Sequence, residues 1–186
     1  QRMTNIQDPV SGVAQVVKNA GDIEYRGFEI DGVYTMTDTI TMVASLGYVH
    51  SKYKNLISDL TGDFIIDALD YALEVPRAAP LTYSLGFNID GNLGTWRSIT
   101  RISYYHRDKS YYNENNQGFI NEQDILNFGY DIYSSDGKIN IGVYGKNLSN
   151  EVKHGGDTNL SFGGTFEPLA KGKIVGAELV YKFWSK

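Results

Sequence analysis

The stretch Leu81–Asp90, LTYSLGFNID, puts Leu81, Tyr83, Leu85, Phe87 and Ile89 on one side of an extended chain and Thr82, Ser84, Gly86, Asn88 and Asp90 on the other. Side chains alternate across a strand, so the segment has one apolar and one polar wall. The same period recurs on both sides of it. Phe28, Ile30 and Tyr34 oppose Glu29 and Asp31, and Ile40, Met42, Ala44, Leu46 and Tyr48 form one face of the next segment. Further on, Leu126, Phe128, Tyr130 and Ile132 oppose Asn127, Gly129 and Asp131; Ile139, Ile141 and Val143 oppose Asn140, Gly142 and Lys146; Val175, Ala177, Leu179, Tyr181 and Phe183 oppose Gly176, Glu178 and Lys182. Trp96–Arg107 is less regular, because Ser98 and Thr100 share a face with Ile102 and Tyr104. No long segment carries a helical stripe, so the class is all-β.

The connections add a second pattern. TMTDT (Thr35–Thr39), GNLGT (Gly91–Thr95) and SSDGK (Ser134–Lys138) have the Gly, Asp and Ser content of hairpin turns. Between them lie longer connections, roughly 56–77, 113–123 and 149–171. Short and long links alternate, as in a transmembrane barrel with short turns at one rim and long loops at the other. Tyr34, Trp96, Tyr133, Phe183 and Trp184 lie beside the short turns or the C-terminus. Tyr48, Tyr53, Tyr104, Tyr105, Tyr111 and Tyr112 lie where strands enter the long loops. Two aromatic belts at opposite strand ends are what a membrane interface selects. A soluble antiparallel sheet with one buried face also alternates; the turns and belts favour the barrel.

Composition is compatible with this. The 186 residues include 17 basic and 22 acidic side chains, no cysteine and a net charge of −5. The acidic balance argues against nucleic acid as a partner. The absence of cysteine removes disulfide scaffolds and thiolate chemistry. No apolar run approaches the ~20 residues of a membrane helix, but strands cross a bilayer without one. The chain opens on Gln1 with no secretory signal segment, which suggests a fragment. About eight strands are expected, near 1–7, 13–35, 39–54, 78–90, 96–112, 123–133, 139–149 and 171–184.

Several strings in this order resemble TonB-dependent outer-membrane receptors: NAGDIEYRGFEIDG (Asn19–Gly32), LGYVHSKY (Leu46–Tyr53), VPRAAPLTYSLGFNI (Val75–Ile89), GVYGKNLSNE (Gly142–Glu151) and VGAELVYKF (Val175–Phe183). The resemblance implies an antiparallel up-and-down barrel of about 22 strands, with residues 1–186 as its C-terminal segment and the plug domain and TonB box not present in the chain. It further implies a bacterial outer-membrane location and active import of a scarce solute such as a ferric siderophore. The implied partners are outer-membrane lipid, the remaining barrel strands and plug, TonB through the N-terminal part, and the solute. Gly176, Leu179, Tyr181 and Phe183 resemble the family's C-terminal assembly signal, although Ser185 and Lys186 follow Trp184. Two alternatives stay open: a self-contained eight-stranded outer-membrane barrel with an adhesive or structural role, and a soluble glycan-binding β-sandwich.

Candidate sites follow from phase and loop chemistry. Glu29, Asp31, Asp90, Arg97, Arg101, Asn127, Asp131, Asn140, Lys146, Glu178 and Lys182 form a polar wall, expected to face a wet lumen where charge is tolerated. They would contact a plug, guide solute, or serve only as a solvated wall. His50, His106 and His154 fall near one rim, where imidazoles could bind a metal chelate, but alternate strands ~10 Å apart separate them. The loop ISDLTGDFIIDALDYALE (Ile57–Glu74) is acidic, with a short helical turn expected around Phe64–Leu73; it either gathers solute or is simply solvated. YYHRDKSYYNENN (Tyr104–Asn116) offers Tyr105, His106, Arg107, Tyr111 and Tyr112 for stacking on a sugar or aromatic siderophore, unless its tyrosines only anchor the interface. No resident cofactor or metal and no catalysis are expected, since hydrolase, phosphate-loop and dinucleotide motifs are missing. Asn147-Leu148-Ser149 matches a glycosylation acceptor, a match common by chance.

Overall fold

The computed structural model describes residues 2–8, 12–153, 158–159, 165–166 and 169–183, with side chains described from 19 to 153 and from 169 to 183. Its strands are β1 (Arg2–Asp8), β2 (Gly12–Lys18), β3 (Gly21–Thr35), β4 (Ile40–Leu56), β5 (Leu81–Leu93), β6 (Trp96–Arg107), β7 (Ser110–Tyr111), β8 (Phe119–Ile120), β9 (Gln123–Tyr133), β10 (Ile139–Lys146), β11 (Thr158–Asn159), β12 (Thr165–Phe166) and β13 (Ile174–Tyr181). One short helix, α1 (Ala68–Tyr71), lies in the link after β4. Seven strands form one antiparallel sheet in the order β3-β4-β5-β6-β9-β10-β13, each long strand pairing with the next along the chain. β1–β2, β7–β8 and β11–β12 are separate two-stranded hairpins. Among the described residues the large sheet does not close: β3 and β13 are its two edges.

Register assigns the faces. Leu85 pairs with Ala44 and Tyr104, and Phe87 with Met42 and Ile102. Ile102 pairs with Phe128, Val143 with Tyr130, and Leu179 with Ile141. One apolar face therefore runs unbroken across the sheet, and the ambiguous Ser98, Thr100, Ile102 and Tyr104 lie on it. That face is uncovered. Ile30 is 60 % exposed, Val143 45 % and Leu179 71 %, and among the described residues no second sheet packs on the meander. The buried apolar cluster is small and sits at one strand end, where Ala20, Tyr53, Leu56, Leu60 and Val75 meet beneath the β4–β5 link.

The short links are tight hairpins, and each works through local chemistry. β5 runs on through Leu93 and pairs it with Trp96, so the turn is only Gly94–Thr95. Gly94 sits at φ +63°, the left-handed region a two-residue hairpin turn needs and an L side chain resists. In the link after β9, Ser134 N donates to Ile139 O at 2.9 Å and Gly137 N to Ser134 O at 2.9 Å.

The expected strand 13–35 is corrected to two strands. β2 and β3 belong to different sheets and are separated at Asn19–Ala20. Gly21 is the break: it has φ +144°, and a Cβ there would stand 2.2 Å from Asn55 O. The alternating residues on its two sides hide that discontinuity from periodicity alone. The expected end of 139–149 also moves inward, to Lys146, because Asn147 turns to φ +50°. The strand expected over 96–112 stops at Arg107, and Ser110–Tyr111 start a separate hairpin.

Candidate functional site

The polar wall takes shape first. By register, Glu29 and Asp31 of β3, Asp90 of β5, Arg97 and Arg101 of β6, Asn127 and Asp131 of β9, Asn140 and Lys146 of β10 and Glu178 of β13 all share the face opposite Leu85. Arg97 Nη2 lies 2.6 Å from Asp90 Oδ1, and Arg101 pairs with Asp131 across neighbouring strands. Ser45 and Ser84 hydroxyls are 2.7 Å apart. Arg101, Asn127, Gly129, Tyr144 and Lys146 surround a cavity of about 400 Å³ on this face. Tyr144 fits there because of Gly176: a Cβ on residue 176 would lie 2.5 Å from the Tyr144 ring. Within the resembled assembly signal, Leu179 and Tyr181 lie on the apolar face by register and Gly176 on the polar one. Tyr181 and Phe183 rings meet edge to face at 5.0 Å. Trp184, Ser185 and Lys186 lie outside the described residues.

The β6 candidates divide. Tyr105 and Arg107 follow Arg101 on the polar face, and Arg107 Nη2 donates to the buried Ser110 Oγ at 2.8 Å. His106 points to the apolar face, where it stacks on Tyr83 at 4.7 Å. Its Nδ1 lies 2.7 Å from Asp124 Oδ1 and its Nε2 3.0 Å from Asp108 Oδ1. Tyr104 OH donates to the same Asp124 oxygen at 2.5 Å. Both imidazole nitrogens are thus engaged, and His106 is not brought together with Tyr105 or Arg107. His50 lies on the apolar-face phase opposite Arg26, and His154 lies outside the described residues. Among the described residues no group of three or more metal-ligating side chains exists.

The aromatic belts divide in the same way. Phe28, Tyr48, Tyr83 and Tyr104 share the apolar face near the long-loop rim, but Tyr53 and Tyr105 lie on the polar one. At the other rim Tyr34 and Trp96 are on the apolar face and Tyr133 is not. Nearness to a strand end says nothing about phase, so end position alone overcounts the belt.

The acidic link 57–80 is held by its own carboxylates. Asp70 is fully buried and accepts from Leu60 N at 2.6 Å, Thr61 N at 3.0 Å and Asp67 N at 3.0 Å. Asp67 caps α1 by accepting from Leu69 N at 2.7 Å, so Asp67 and Asp70 form a reciprocal capping box. Asp59 accepts from Gly62 N and Phe64 N, each at 2.7 Å. Burial pushes the Asp70 carboxyl up, but the three amide donors outweigh it and hold its pKa below the ordinary carboxylate value. The Gly62 amide, followed by Phe64 and Thr61, lowers that of Asp59 as well. These carboxylates shape the loop, which displays Phe64 at 95 % exposure with φ +71°.

Two links are tied to each other. Asn116 Nδ2 donates to Glu74 O at 2.8 Å while Glu74 N donates to Asn116 Oδ1 at 2.7 Å. Arg77 N donates to Tyr111 O at 2.7 Å, and the Arg77 guanidinium lies 4.8 Å from the Tyr112 ring centre. Tyr111 and Tyr112 are therefore packed under cations, Lys109 covering Tyr111 at 5.0 Å. Beneath the tie, Ile23, Tyr25, Tyr53, Val75, Pro76 and Glu114 line a cavity of about 210 Å³. Periodicity and loop chemistry point only to Tyr53 here, since the walls come from four separate segments of the chain.

The sheet and its loops define an open, antiparallel up-and-down wall with one apolar and one polar face, tight turns at one rim and structured loops at the other. Solved structures with a similar arrangement include three receptors. The ferric yersiniabactin uptake receptor FyuA from Yersinia pestis is similar over 89 % of this chain and 24 % of its own (TM-score 0.73, 16 % identity). The siderophore receptor PiuA from Acinetobacter baumannii is similar over 96 % and 24 % (0.67, 17 %). BauA, the ferric preacinetobactin receptor from Acinetobacter baumannii, is similar over 97 % and 25 % (0.66, 12 %). The chain thus spans about a quarter of the length of these receptors. At these identities the likeness establishes the fold. No family model matches the chain, and no curated protein matches it by sequence.

Proposed function

We propose that the chain is one segment of the wall and outer loops of a TonB-dependent outer-membrane receptor that captures and imports a scarce solute such as a ferric siderophore. The observation that carries this reading is the uncovered, continuous apolar face of a seven-stranded meander that superposes on a quarter of siderophore-receptor chains. In this reading the apolar face meets lipid and the polar wall, including Glu29, Asp31, Arg97, Arg101, Asp131, Lys146 and Glu178, faces the conduit and a plug. The tied loops and the cavity under them collect the solute. Tyr25, Tyr53 and Glu114 supply aromatic surface and a carboxylate there, a combination that suits a planar, polar-edged ligand. Tyr105, Arg107, Tyr111 and Tyr112 rim the same side, and His106 is a strand-locking residue rather than a ligand. Import would draw energy from TonB through the N-terminal part.

The test is uptake of radiolabelled ferric siderophores by cells that rely on the full-length protein containing this chain. Uptake that depends on TonB and is lost when residues 57–80 are replaced by a short turn supports the reading. A protein that extracts without detergent, or that supports the same uptake without TonB, contradicts it.

A further inference from the structure

We infer that the cavity beneath the tied links selects solutes by charge: it takes a protonated amine, seated between the Tyr25 ring and the Glu114 carboxylate. The proposal rests on the receptor reading above, in which solute collects at these links, and deepens it by naming the charge class of that solute. Ile23 and Tyr25 of β3 and Tyr53 of β4 all lie on the polar face by register, which in that reading is the conduit side. Val75 and Pro76 add apolar wall, and among the described residues that line the cavity Glu114 alone is charged. At about 210 Å³ the cavity is smaller than the roughly 300–1,000 Å³ that encloses a drug-sized ligand, so it takes one arm of a solute.

The turn that carries Glu114 is fixed. Tyr112 N donates to Gly118 O at 2.8 Å, and Gly118 N donates to Asn113 Oδ1 at 3.3 Å. Yet among the described residues the Glu114 carboxylate meets no hydrogen-bond donor and no cation. Most carboxylates around it are engaged. Asp59, Asp67 and Asp70 accept amides of their own link, and Asp108 and Asp124 flank His106. Glu122 and Glu151 lie 3.7 and 2.7 Å from Lys153 Nζ. The cations nearby are engaged too. Arg77 stacks on Tyr112, Lys109 lies over Tyr111 and Phe119, and Arg26, Lys52 and Lys54 gather on Glu24. Glu114 is thus a positioned acid on a cavity wall with its counter-charge still to come.

The links around the cavity carry the same sign. Residues 57–80 and 108–122 hold eight carboxylates against two cations, Arg77 and Lys109, a formal balance of −6. A concave site walled by one sign of charge concentrates the opposite charge and steers it inward. At the wall itself Tyr25 is 56 % exposed. A tyrosine ring attracts an ammonium through its π face, and a carboxylate gives the same group a charge-assisted hydrogen bond. A neutral arm gains the ring alone. An anionic arm gains no partner and is repelled by Glu114, which is how a site discriminates against the wrong ligand.

The experiment uses the full-length protein containing this chain, in neutral detergent near neutral pH. Isothermal titration calorimetry measures binding of one ferric trihydroxamate chelate in three forms: with a terminal free amine, with that amine acetylated, and with it succinylated. Only the tail charge changes, from positive through neutral to negative. A partly exposed charge pair together with a cation–π contact predicts a preference of about 10-fold for the amine form over the acetylated one. Glu114→Gln should cut that ratio to about 3-fold or less while the acetylated form binds as before. Glu114→Lys should make the succinylated form the tightest, a gain that misfolding cannot mimic. Asp63→Asn, the same loss of charge in these links but away from the cavity, should leave the ratio unchanged. Equal binding of the three forms, tightest binding of the succinylated form, an unchanged ratio in Glu114→Gln, or no binding of any form would each overturn the proposal. TonB-dependent uptake alongside any of those results removes the charge selection alone. Charge-selective binding without such uptake removes the receptor reading alone.

Discussion

Asp70 shows how much one side chain can organise. It is fully buried and takes three amide donors, two from the chain ten residues earlier and one from its own helix start. Asp70→Asn would turn one acceptor into a donor facing an N–H. A charged-acceptor bond lost in a buried site costs about 2 kcal/mol, which corresponds to ~30-fold faster exchange. Hydrogen exchange at the Leu60 and Thr61 amides should accelerate by that factor in Asp70→Asn, with amides in β9 unchanged. The pH response has a definite sign. The folded pKa lies below the unfolded one, so the stabilisation is complete above the ordinary carboxylate value of about 3.9 and disappears only as pH falls through the folded value. An NMR titration of the Asp70 carboxyl carbon should show an inflection below about 3.9; an inflection above it would contradict the hydrogen-bond assignment.

At the scale of elements, the C-terminal end of β10 is closed by Asn147. Its Nδ2 donates to Glu151 O at 3.0 Å and Lys171 O at 2.9 Å, and its Oδ1 accepts from Glu151 N at 2.9 Å. Ser149 Oγ adds a bond to Asp124 O at 2.5 Å. The segment that reads as a chance glycosylation match is a knot joining β9, β10 and the approach to β13. Asn147→Ala should cost about 2–3 kcal/mol, since several buried groups lose partners at once. In the full-length protein the heat-modifiable gel transition should drop in temperature, whereas Asn140→Ala should move it far less. These elements were legible to different degrees in the sequence. Leu81–Asp90 announced its strand and both faces, because a period of two is a local property. The break at Gly21 was not legible, since it depends on the clash a Cβ would have with Asn55 O. Nor was the pairing of His106 with Asp124, 18 residues away, which exists only once β6–β9 register is set. The ties from Arg77 to Tyr111 and Tyr112 were hidden for the same reason: a loop's partner is chosen in space.

For the molecule as a whole, the central claim is that the apolar face lies in lipid and the polar wall faces water. A single charge reports on this through energy. Leu85→Arg should destabilise the protein refolded in bilayers by about 2–4 kcal/mol, while Asn88→Arg on the other wall should cost less than about 1 kcal/mol. Equal costs would mean that both faces see water. The more direct measurement follows from composition, because the chain has no cysteine and each introduced one is a unique probe within it. Single cysteines from residue 81 to residue 90, spin-labelled in the full-length protein in bilayers, can be tested for collision with oxygen and with a water-soluble nickel chelate. Positions 81, 83, 85, 87 and 89 should be oxygen-accessible and chelate-protected, and positions 82, 84, 86, 88 and 90 the reverse. Ten labels uniformly open to the chelate, or lacking a period of two, would contradict the account.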